Sequence, residues 1–282
     1  MSDRTKAKSK IKKTKPAANQ APAGSASDDP FATAPATMNK AARIEPIDYD
    51  ALSTERLEAM AAAAEEVINC HRVLAKTGDN IVGELLRDIE TFYEWDHYPE
   101  GDIYDAETHS QFYYHAHPED ERPGEHGHFH TFLRPAGMPE GITPAQVPDY
   151  EPKEDPDDEL SHLIAISMDK FGVPIRLFTV NRWVSADVWY DAEDVIAFLD
   201  YFEMDLAQPS WPLNRWITGM VQLFHPQIAA LIRARDVKVA EWQAAHPDKN
   251  VFTDHDLETT SLTAIKIDDH VQKLSAALEK RR

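Results

Sequence analysis

Apolar residues recur at helical spacing near both ends of the chain and alternate with other residues in the middle. The stretch "STERLEAMAAAAEEVINCHRVLAK" predicts a helix capped by Ser53, because its apolar residues return every three or four positions. Helical spacing returns in "DAEDVIAFLDYFEM" and in two later stretches that Pro212 and Pro226 open. The apolar positions of the first helix are Leu57, Met60, Ala64, Val67, Cys70 and Leu74.

Between these helices the sequence has the alternation typical of strands. "QFYYHAH" (111–117) and "GHFHTFLR" (127–134) are rich in aromatic residues and predict a hairpin with a long connection. "HLIAISM" (162–168) and "IRLFTVNRWV" (175–184) predict a second hairpin around the turn sequence "DKFGVP". The order of elements indicates an α+β domain, with an antiparallel sheet of four or more strands flanked by N-terminal and C-terminal helices.

Two more helices are predicted from their caps and apolar stripes. "DNIVGELLRDIETFYEW" has Asp79 as a cap and an apolar stripe that runs as far as Phe92, which predicts a long second helix. A last helix is predicted with Thr253 or Asp254 as its cap. Its apolar residues, at steps of four, three and four, are Ile267, Val271, Leu274 and Leu278.

The first 45 residues differ in composition from the rest of the chain. Residues 1–45 have almost no large apolar side chain and are predicted to form a disordered tail. Residues 1–44 carry nine Lys and Arg against three Asp, whereas the remainder carries 20 against 46, so a basic tail precedes an acidic body. Residues 46–282 are predicted to form a single α+β domain, with a mobile acidic, Pro-rich loop near 135–160.

The composition also excludes several classes of protein. A single cysteine, Cys70, cannot form an internal disulfide, which favours a cytoplasmic location. No stretch approaches the roughly 18 apolar residues of a membrane span. The acidic body disfavours nucleic-acid binding by the folded domain, because phosphate contact requires a basic surface. The seven basic residues between Arg4 and Lys15 would suit an anionic partner, and the alternative is a solubilising tail.

Histidines are concentrated in the first predicted hairpin. Five of them alternate with other residues along its two strands, and alternate residues of a strand share a face. A centred hairpin pairs His117 with His126 and His115 with His128. A slip of two residues pairs His115 with His130 and His117 with His128. Both registers place all five imidazoles on one face, whereas a slip of one residue would separate the two sets.

Imidazoles on paired strands lie close enough to converge on one ion, since cross-strand Cβ atoms are about 4.5–5.5 Å apart. The five histidines therefore predict a site for Zn, Fe, Cu or Ni, which accept nitrogen ligands, and not for Mg or Ca. One alternative is a hydrogen-bonded structural or substrate-contacting set, and another is a solvated sheet face. Acidic residues nearby that could supply a carboxylate ligand are Glu107, Glu119, Glu121 and Glu125.

Asn181 and Arg182, at the end of the last predicted strand, form a second candidate site. An arginine presents parallel N–H donors that match a carboxylate or phosphate, so this pair is predicted to bind an anionic ligand. The alternative is that Arg182 forms an ion pair with one of the many carboxylates. No Gly-rich phosphate loop, serine-hydrolase elbow or paired-cysteine zinc pattern occurs, and no catalytic residue is predicted.

Three stretches together resemble a family of bacterial proteins described as a domain of unknown function. They are "HPEDERPGEHGHFHTFLR", "HLIAISMDKFGVPIRLFTVNRWVSADVWY" and "PSWPLNRWITGM". The resemblance covers residues 50–240 and implies a bacterial source and one folded domain, but no catalytic roles. The spacing of histidines in "PGEHGHFH" also resembles the first motif of cupins, in which an alternating strand supplies ligands to a barrel.

The sequence therefore predicts a transition-metal-binding protein that uses a histidine-rich β-hairpin. If the protein is an enzyme, the metal would act as a Lewis acid or activate water or oxygen. The alternative is a non-enzymatic binding or accessory protein, in which the face that carries histidines and aromatic residues docks a partner.

Overall fold

A mostly antiparallel sheet with helices packed against it forms the centre of the protein. The structure, a computed structural model, describes residues 10–11 and 36–282. The helices are α1 (Thr54–Ala75), α2 (Ile81–Leu85), α3 (Arg182–Ser185), α4 (Ala192–Phe198), α5 (Trp211–Leu223), α6 (His225–Ala245) and α7 (Ile267–Glu279). The strands are β1 (Lys10–Ile11), β2 (Ala42–Arg43), β3 (Phe92–Tyr93), β4 (Tyr98–Tyr104), β5 (Ser110–His115), β6 (Gly127–Leu133), β7 (Ser161–Met168), β8 (Pro174–Val180) and β9 (Thr259–Ala264).

Seven of the described strands form one sheet in the order β2-β9-β8-β7-β6-β5-β4. All neighbours in it are antiparallel except β2, which runs parallel to β9. The separate pair β1 and β3 is antiparallel. The predicted α+β architecture is confirmed. Within the described residues the sheet is open, with β2 and β4 as its edges, and in this it differs from the barrel that the cupin motif implies.

The two faces of the sheet have different chemistry. One face contributes apolar side chains to a core that it shares with α1, α5 and α6. On that face the ring of Phe129 lies 5.5 Å from the ring of Trp216 on α5, centroid to centroid. The other face carries histidines and charged residues, and Phe178 there packs with Met38 from the N-terminal segment. Helices α1, α5 and α6 therefore cover the apolar face, whereas the N-terminal segment and Val184 of the short helix α3 pack on the other face.

Helix α1 follows its sequence pattern. Ser53 caps it by accepting a hydrogen bond from the backbone N–H of Arg56, and all six predicted apolar positions are buried. Its main partner is α5, and the two helices approach closely at Gly219. A Cβ atom at Gly219 would lie 2.8 Å from Cγ2 of Val67, which is closer than van der Waals contact allows. Glycine at this position permits the close packing of the two helices.

Replacing Gly219 with alanine is expected to destabilise the protein. Overpacking costs about 1–3 kcal/mol, and Val67 is β-branched and cannot rotate away easily. Alanine recovers about 1 kcal/mol of helix propensity over glycine, which offsets only part of that cost. Urea unfolding of the variants Gly219→Ala, Val67→Ala and the double variant tests this, because the Val67→Ala substitution should cost less in the Gly219→Ala background. Strict additivity of the two effects would contradict the proposed contact.

Two of the predicted helices are wrong in extent. The second helix ends at Leu85 with Asn80 as its cap, and Phe92 lies in a strand instead of on the same helical stripe. The last helix begins at Ile267, and the Thr- and Ser-rich stretch before it forms β9 inside the sheet. Neither Thr253 nor Asp254 caps this helix, since Lys266 precedes it and the carboxylate of Asp254 instead accepts hydrogen bonds from Trp242 and Lys249. Strand pairing overrode the local helical pattern in the case of β9.

Residues 1–9 and 12–35 of the predicted tail lie outside the described residues. Within the described part, Ala36–Lys40 forms a 3-10 helix and β2 pairs with the sheet. The acidic, Pro-rich segment carries 3-10 helices at Pro135–Gly137 and Pro156–Asp158. None of the helices in residues 36–282 combines the length and apolar character needed to cross a bilayer.

Candidate metal centre

The predicted histidine hairpin forms in one of the two registers that place its imidazoles together. Strands β5 and β6 pair with His115 opposite His128 and with Tyr113 opposite His130. This is the centred register. Because paired residues project to the same side of a sheet, His115, His128 and His130 share the polar face.

Three of the imidazoles converge. His115 and His128 project from the facing strands, and His117 lies two residues beyond the end of β5. Each of the three offers a ligand nitrogen, and these atoms all lie within 4.8 Å of one another. The ring centroid of His117 lies 5.0 Å from that of His115 and 5.3 Å from that of His128. We call this set the histidine trio.

The closest pair within the trio has the spacing of a hydrogen bond. Nε2 of His115 lies 2.7 Å from Nε2 of His128. Two nitrogens bonded to one tetrahedral zinc at about 2.0–2.1 Å would lie roughly 3.3 Å apart. An ion therefore fits if the two rings separate slightly, and it would replace the hydrogen bond between them.

Glu125 orients the central histidine. Its Oε1 lies 2.7 Å from Nδ1 of His128, and both side chains are only 1% exposed. An ionised carboxylate can only accept, so Nδ1 of neutral His128 carries the proton and its Nε2 keeps a lone pair directed at His115. A carboxylate on the far nitrogen is the usual partner of a metal-bound histidine.

Two arginines and a second glutamate surround Glu125. Nη2 of Arg176 lies 3.5 Å from Oε2 of Glu125, and Nη1 of Arg122 lies 3.7 Å from Oε1. Arg122 also pairs with Glu258, which comes from the segment before β9. The two guanidiniums and two carboxylates balance in charge. The buried network therefore adds no net charge beside the trio.

The buried imidazoles are held neutral. Burial, with smaller effects of His97 and Arg122, lowers the pKa of His115 to about 3. Burial and the neighbouring His115 hold the pKa of His128 well below its usual value, and burial together with His128 does the same for His130. A neutral imidazole keeps one free lone pair, so no net proton has to be lost at neutral pH. At His115 the proton that Nε2 donates to His128 would move to Nδ1 before Nε2 could bind an ion.

His130 extends the cluster towards β7. Its Nδ1 lies 2.9 Å from Nε2 of His162, and its ring centroid lies 4.8 Å from that of His128. Its Nε2 is buried and has no hydrogen-bond partner in the structure. Buried ring nitrogens are almost always satisfied, so this atom is an exception among the described side chains.

His126 lies apart from the other predicted ligands. Its ring stacks on Phe92 and its Nδ1 lies 2.7 Å from the hydroxyl of Tyr114, both of which belong to the core on the helix side. Strand β6 begins only at Gly127, so strand parity does not govern the preceding residue. A Cβ at Gly127 would clash with the Tyr114 ring at 2.6 Å, which shows how closely that ring crosses the start of β6.

The two residues of the second predicted site have separate surroundings. Asn181 is fully buried: its Nδ2 donates to the carbonyls of Val251 and Leu257, and its Oδ1 accepts from the N–H of Arg182. Arg182 borders a cavity of about 470 Å³, and its guanidinium lies 5.6 Å from the Phe252 ring centroid. The polar atoms of Asn181 are thus used within the fold, and only Arg182 borders open space.

Several residues of this face were not predicted from the sequence. His162 and Ser167 lie on β7, a strand buried along its whole length, so their polar positions produce no alternating pattern. Arg176 does leave a signal, because a charged residue inside the apolar stretch "IRLFTV" must find a buried partner. Arg122 and Glu258 lie far apart in the sequence and meet only in the folded protein, so no local pattern predicts their ion pair.

Comparison with known proteins identifies a family without assigning a function. No curated protein and no solved structure matches the chain. The sequence model of one family, described as "Domain of unknown function (DUF6969)", matches residues 61–265. This match covers the histidine hairpin, its partner strands and α5, as the resemblance of the quoted stretches implies. The chain therefore belongs to the family of proteins that contain the domain of unknown function DUF6969.

Proposed function

We propose that this protein binds a first-row transition metal ion through His115, His117 and His128. The observation that carries the proposal is the convergence of three ligand nitrogens within 4.8 Å of one another, with Glu125 bound to the far nitrogen of His128. Neutral imidazoles favour zinc, iron, copper or nickel. His130 lies next to this set as a possible further ligand, and His126 is left out because its ring packs in the core.

Three protein ligands match the pattern of catalytic zinc sites, which keep a coordination position for water or substrate. Structural zinc sites are usually closed by four protein ligands. The side chain of His117 is 11% exposed, so the trio lies at the solvent-facing edge of an otherwise buried cluster. This arrangement supports a metal-dependent enzyme, with the ion acting as a Lewis acid.

The alternative function, docking of a partner on the histidine face, requires accessible side chains. His128, His130, Phe132 and His162 are all buried in the described structure. Interface residues that bind a partner must be able to reach it, and these lie under the chain's own loops. The burial therefore favours the metal site over a docking surface.

Metal content measures the proposal directly. Tag-free protein purified without chelator and reconstituted with zinc is expected to hold one ion per chain by elemental analysis. The variants His117→Gln and His128→Gln are expected to lose most of it. His126→Gln tests the excluded histidine, and His255→Gln, on an exposed loop, is the matched control; both should retain the ion. Wild-type protein with far less than one ion, or full occupancy in His128→Gln, would refute the site.

A further inference from the structure

Three buried donor atoms beside the histidine trio have no hydrogen-bond partner. They are Nη1 of Arg122, Oγ of Ser167 and Nε of Arg176. The residues are 3%, 0% and 2% exposed, respectively. Buried donors in native proteins are nearly always paired with protein, water or a ligand. Both arginines contact Glu125, and Ser167 pairs with Arg176 across β7 and β8, so the three donors belong to one region of the sheet face.

Two of these donors, Ser167 and Arg176, lie in the same row across the sheet as His115 and His128. His115, His128, Ser167 and Arg176 occupy successive register positions on β5, β6, β7 and β8. Residues paired in register project to the same face, and neighbouring strands lie about 4.7–4.9 Å apart. We call these four residues the polar row. It places Ser167 directly between the metal-binding His128 and Arg176.

Arg122 approaches the polar face of the sheet from outside the strands. It lies on the connection between β5 and β6, and its guanidinium carbon lies 5.2 Å from the ring centroid of Phe178 on the polar face. Its Nη1 lies 3.7 Å from Glu125. Arg176 approaches the other oxygen of Glu125 at 3.5 Å. Both arginines therefore converge on the Glu125 carboxylate.

Glu125 does not form short hydrogen bonds with either arginine. Charge-assisted N–H···O bonds are about 2.7–2.9 Å long, and both contacts from the arginines to Glu125 are longer. A dication held by neutral imidazoles would also bring two uncompensated positive charges into a desolvated site. An additional anion would accept the free hydrogen bonds and reduce that charge.

We propose that Arg122, Ser167 and Arg176 form a binding site for a small carboxylate or similar oxyanion, next to the histidine trio. The site accepts the anion through Nη1 of Arg122, the hydroxyl of Ser167 and Nε of Arg176. Full burial of these residues restricts the ligand to a small group, such as formate or the carboxylate of a substrate. The part of the inference that links this anion to the metal rests on the proposed function.

Coupling between the two sites follows from their charges. If the anion compensates the ion, each ligand tightens the binding of the other by the same factor. The affinity for zinc, measured by competition with a chelator, is therefore expected to rise in sodium formate over sodium chloride of equal ionic strength. The neutral isostere formamide should have no such effect.

The anion site itself is tested without metal. Sodium formate is expected to raise the urea midpoint of chelator-treated wild-type protein above that in sodium chloride, with a saturable dependence that gives its Kd. Ser167→Ala should weaken formate binding by about 2–10-fold, and Arg176→Gln by about 10–100-fold. Ser161→Ala, a buried serine on the same strand but outside the row, is the matched control and should bind formate like wild type.

The outcomes separate the two proposals. Saturable formate binding that Ser167→Ala weakens and Ser161→Ala does not would support the anion site even if zinc never binds. No saturable effect of formate on wild type, or equal formate affinity in the two serine variants, would overturn it and identify the free donors as hydrated. Ser167→Ala removes one hydroxyl and no charge, so the test remains readable if Arg176→Gln does not fold.

Discussion

The variant Glu125→Ala is expected to lower the free energy of unfolding by about 3–5 kcal/mol, the usual cost of removing one partner from a buried ion network. In the wild-type protein the carboxylate of Glu125 contacts Arg122, Arg176 and His128, all of which are almost fully buried. Without it, two guanidiniums remain beside each other with only Glu258 to compensate them. Urea unfolding at neutral pH, followed by circular dichroism, measures the loss.

An exposed ion pair provides the control. Asp50 accepts a hydrogen bond from Lys280 at 2.6 Å, but both side chains are more than half exposed. Asp50→Asn is expected to change the free energy of unfolding by no more than about 1 kcal/mol. A loss in Glu125→Ala as small as that in Asp50→Asn would show that the buried network does not depend on this carboxylate.

The isosteric variant Glu125→Gln separates stability from ligand orientation. It retains the shape of the side chain and an acceptor for Nδ1 of His128, but it loses the charge. Replacing the outer partner of a metal-bound histidine usually costs about 10–100-fold in affinity, and we expect a zinc affinity lowered by that factor. An unchanged zinc affinity in folded Glu125→Gln would mean that Glu125 does not prepare His128 for a metal.

Stability of the metal-free protein is expected to fall steeply on acidification. Burial lowers the pKa of His115 and of His162 to about 3, and that of His270 to about 4. In the unfolded chain these groups titrate near pH 6.5. Below that pH the unfolded chain binds protons that the folded protein does not, so the free energy of unfolding decreases as pH falls. Each histidine contributes about 1.4 kcal/mol per pH unit, down to its folded pKa.

Urea unfolding at several pH values between 5 and 7 measures this slope. His162→Gln should flatten it by about 1 kcal/mol per pH unit averaged over this range, and by about 1.4 kcal/mol per pH unit near pH 5, since one of the buried neutral histidines is gone. Ile164→Val, on the same strand, should lower stability by about 0.5–1.5 kcal/mol and leave the slope unchanged. An equal slope in wild type and His162→Gln would contradict a buried, neutral His162.

Strand parity was the most informative part of the sequence. His128 and His130 could be placed on one face because residues two apart on a strand share it. Placing His115 with them required the hairpin register, which the sequence left open and the strand pairing supplies. His126 could not be placed by the same rule, since the strand begins one residue later and the Tyr114 hydroxyl binds its ring. The rule fails at strand ends, where side-chain contacts decide the direction of a residue.

Tertiary contacts explain the features that the sequence did not predict. Strand β9 is rich in Thr and Ser, and its place beside β8 depends on pairing across the sheet. Ser167 and Arg176 meet His128 only once β6, β7 and β8 are in register. The predicted length of the second helix was wrong for a related reason, because Phe92 lies in a strand and its ring packs against the rings of Tyr98 and His126.

The connection between β5 and β6 has a kinetic consequence. It carries Arg122 and Glu125, and the ion pair of Arg122 with Glu258 joins it to the segment before β9. If the proposed ligands bind on the inner side of this connection, local opening of the connection would be one way for them to enter and leave. The residence time of such a ligand would then depend on how often this connection opens, and not on the affinity of the ligand alone. A ligand held with modest affinity could still exchange slowly, at a rate set by the breaking of the Arg122–Glu258 pair.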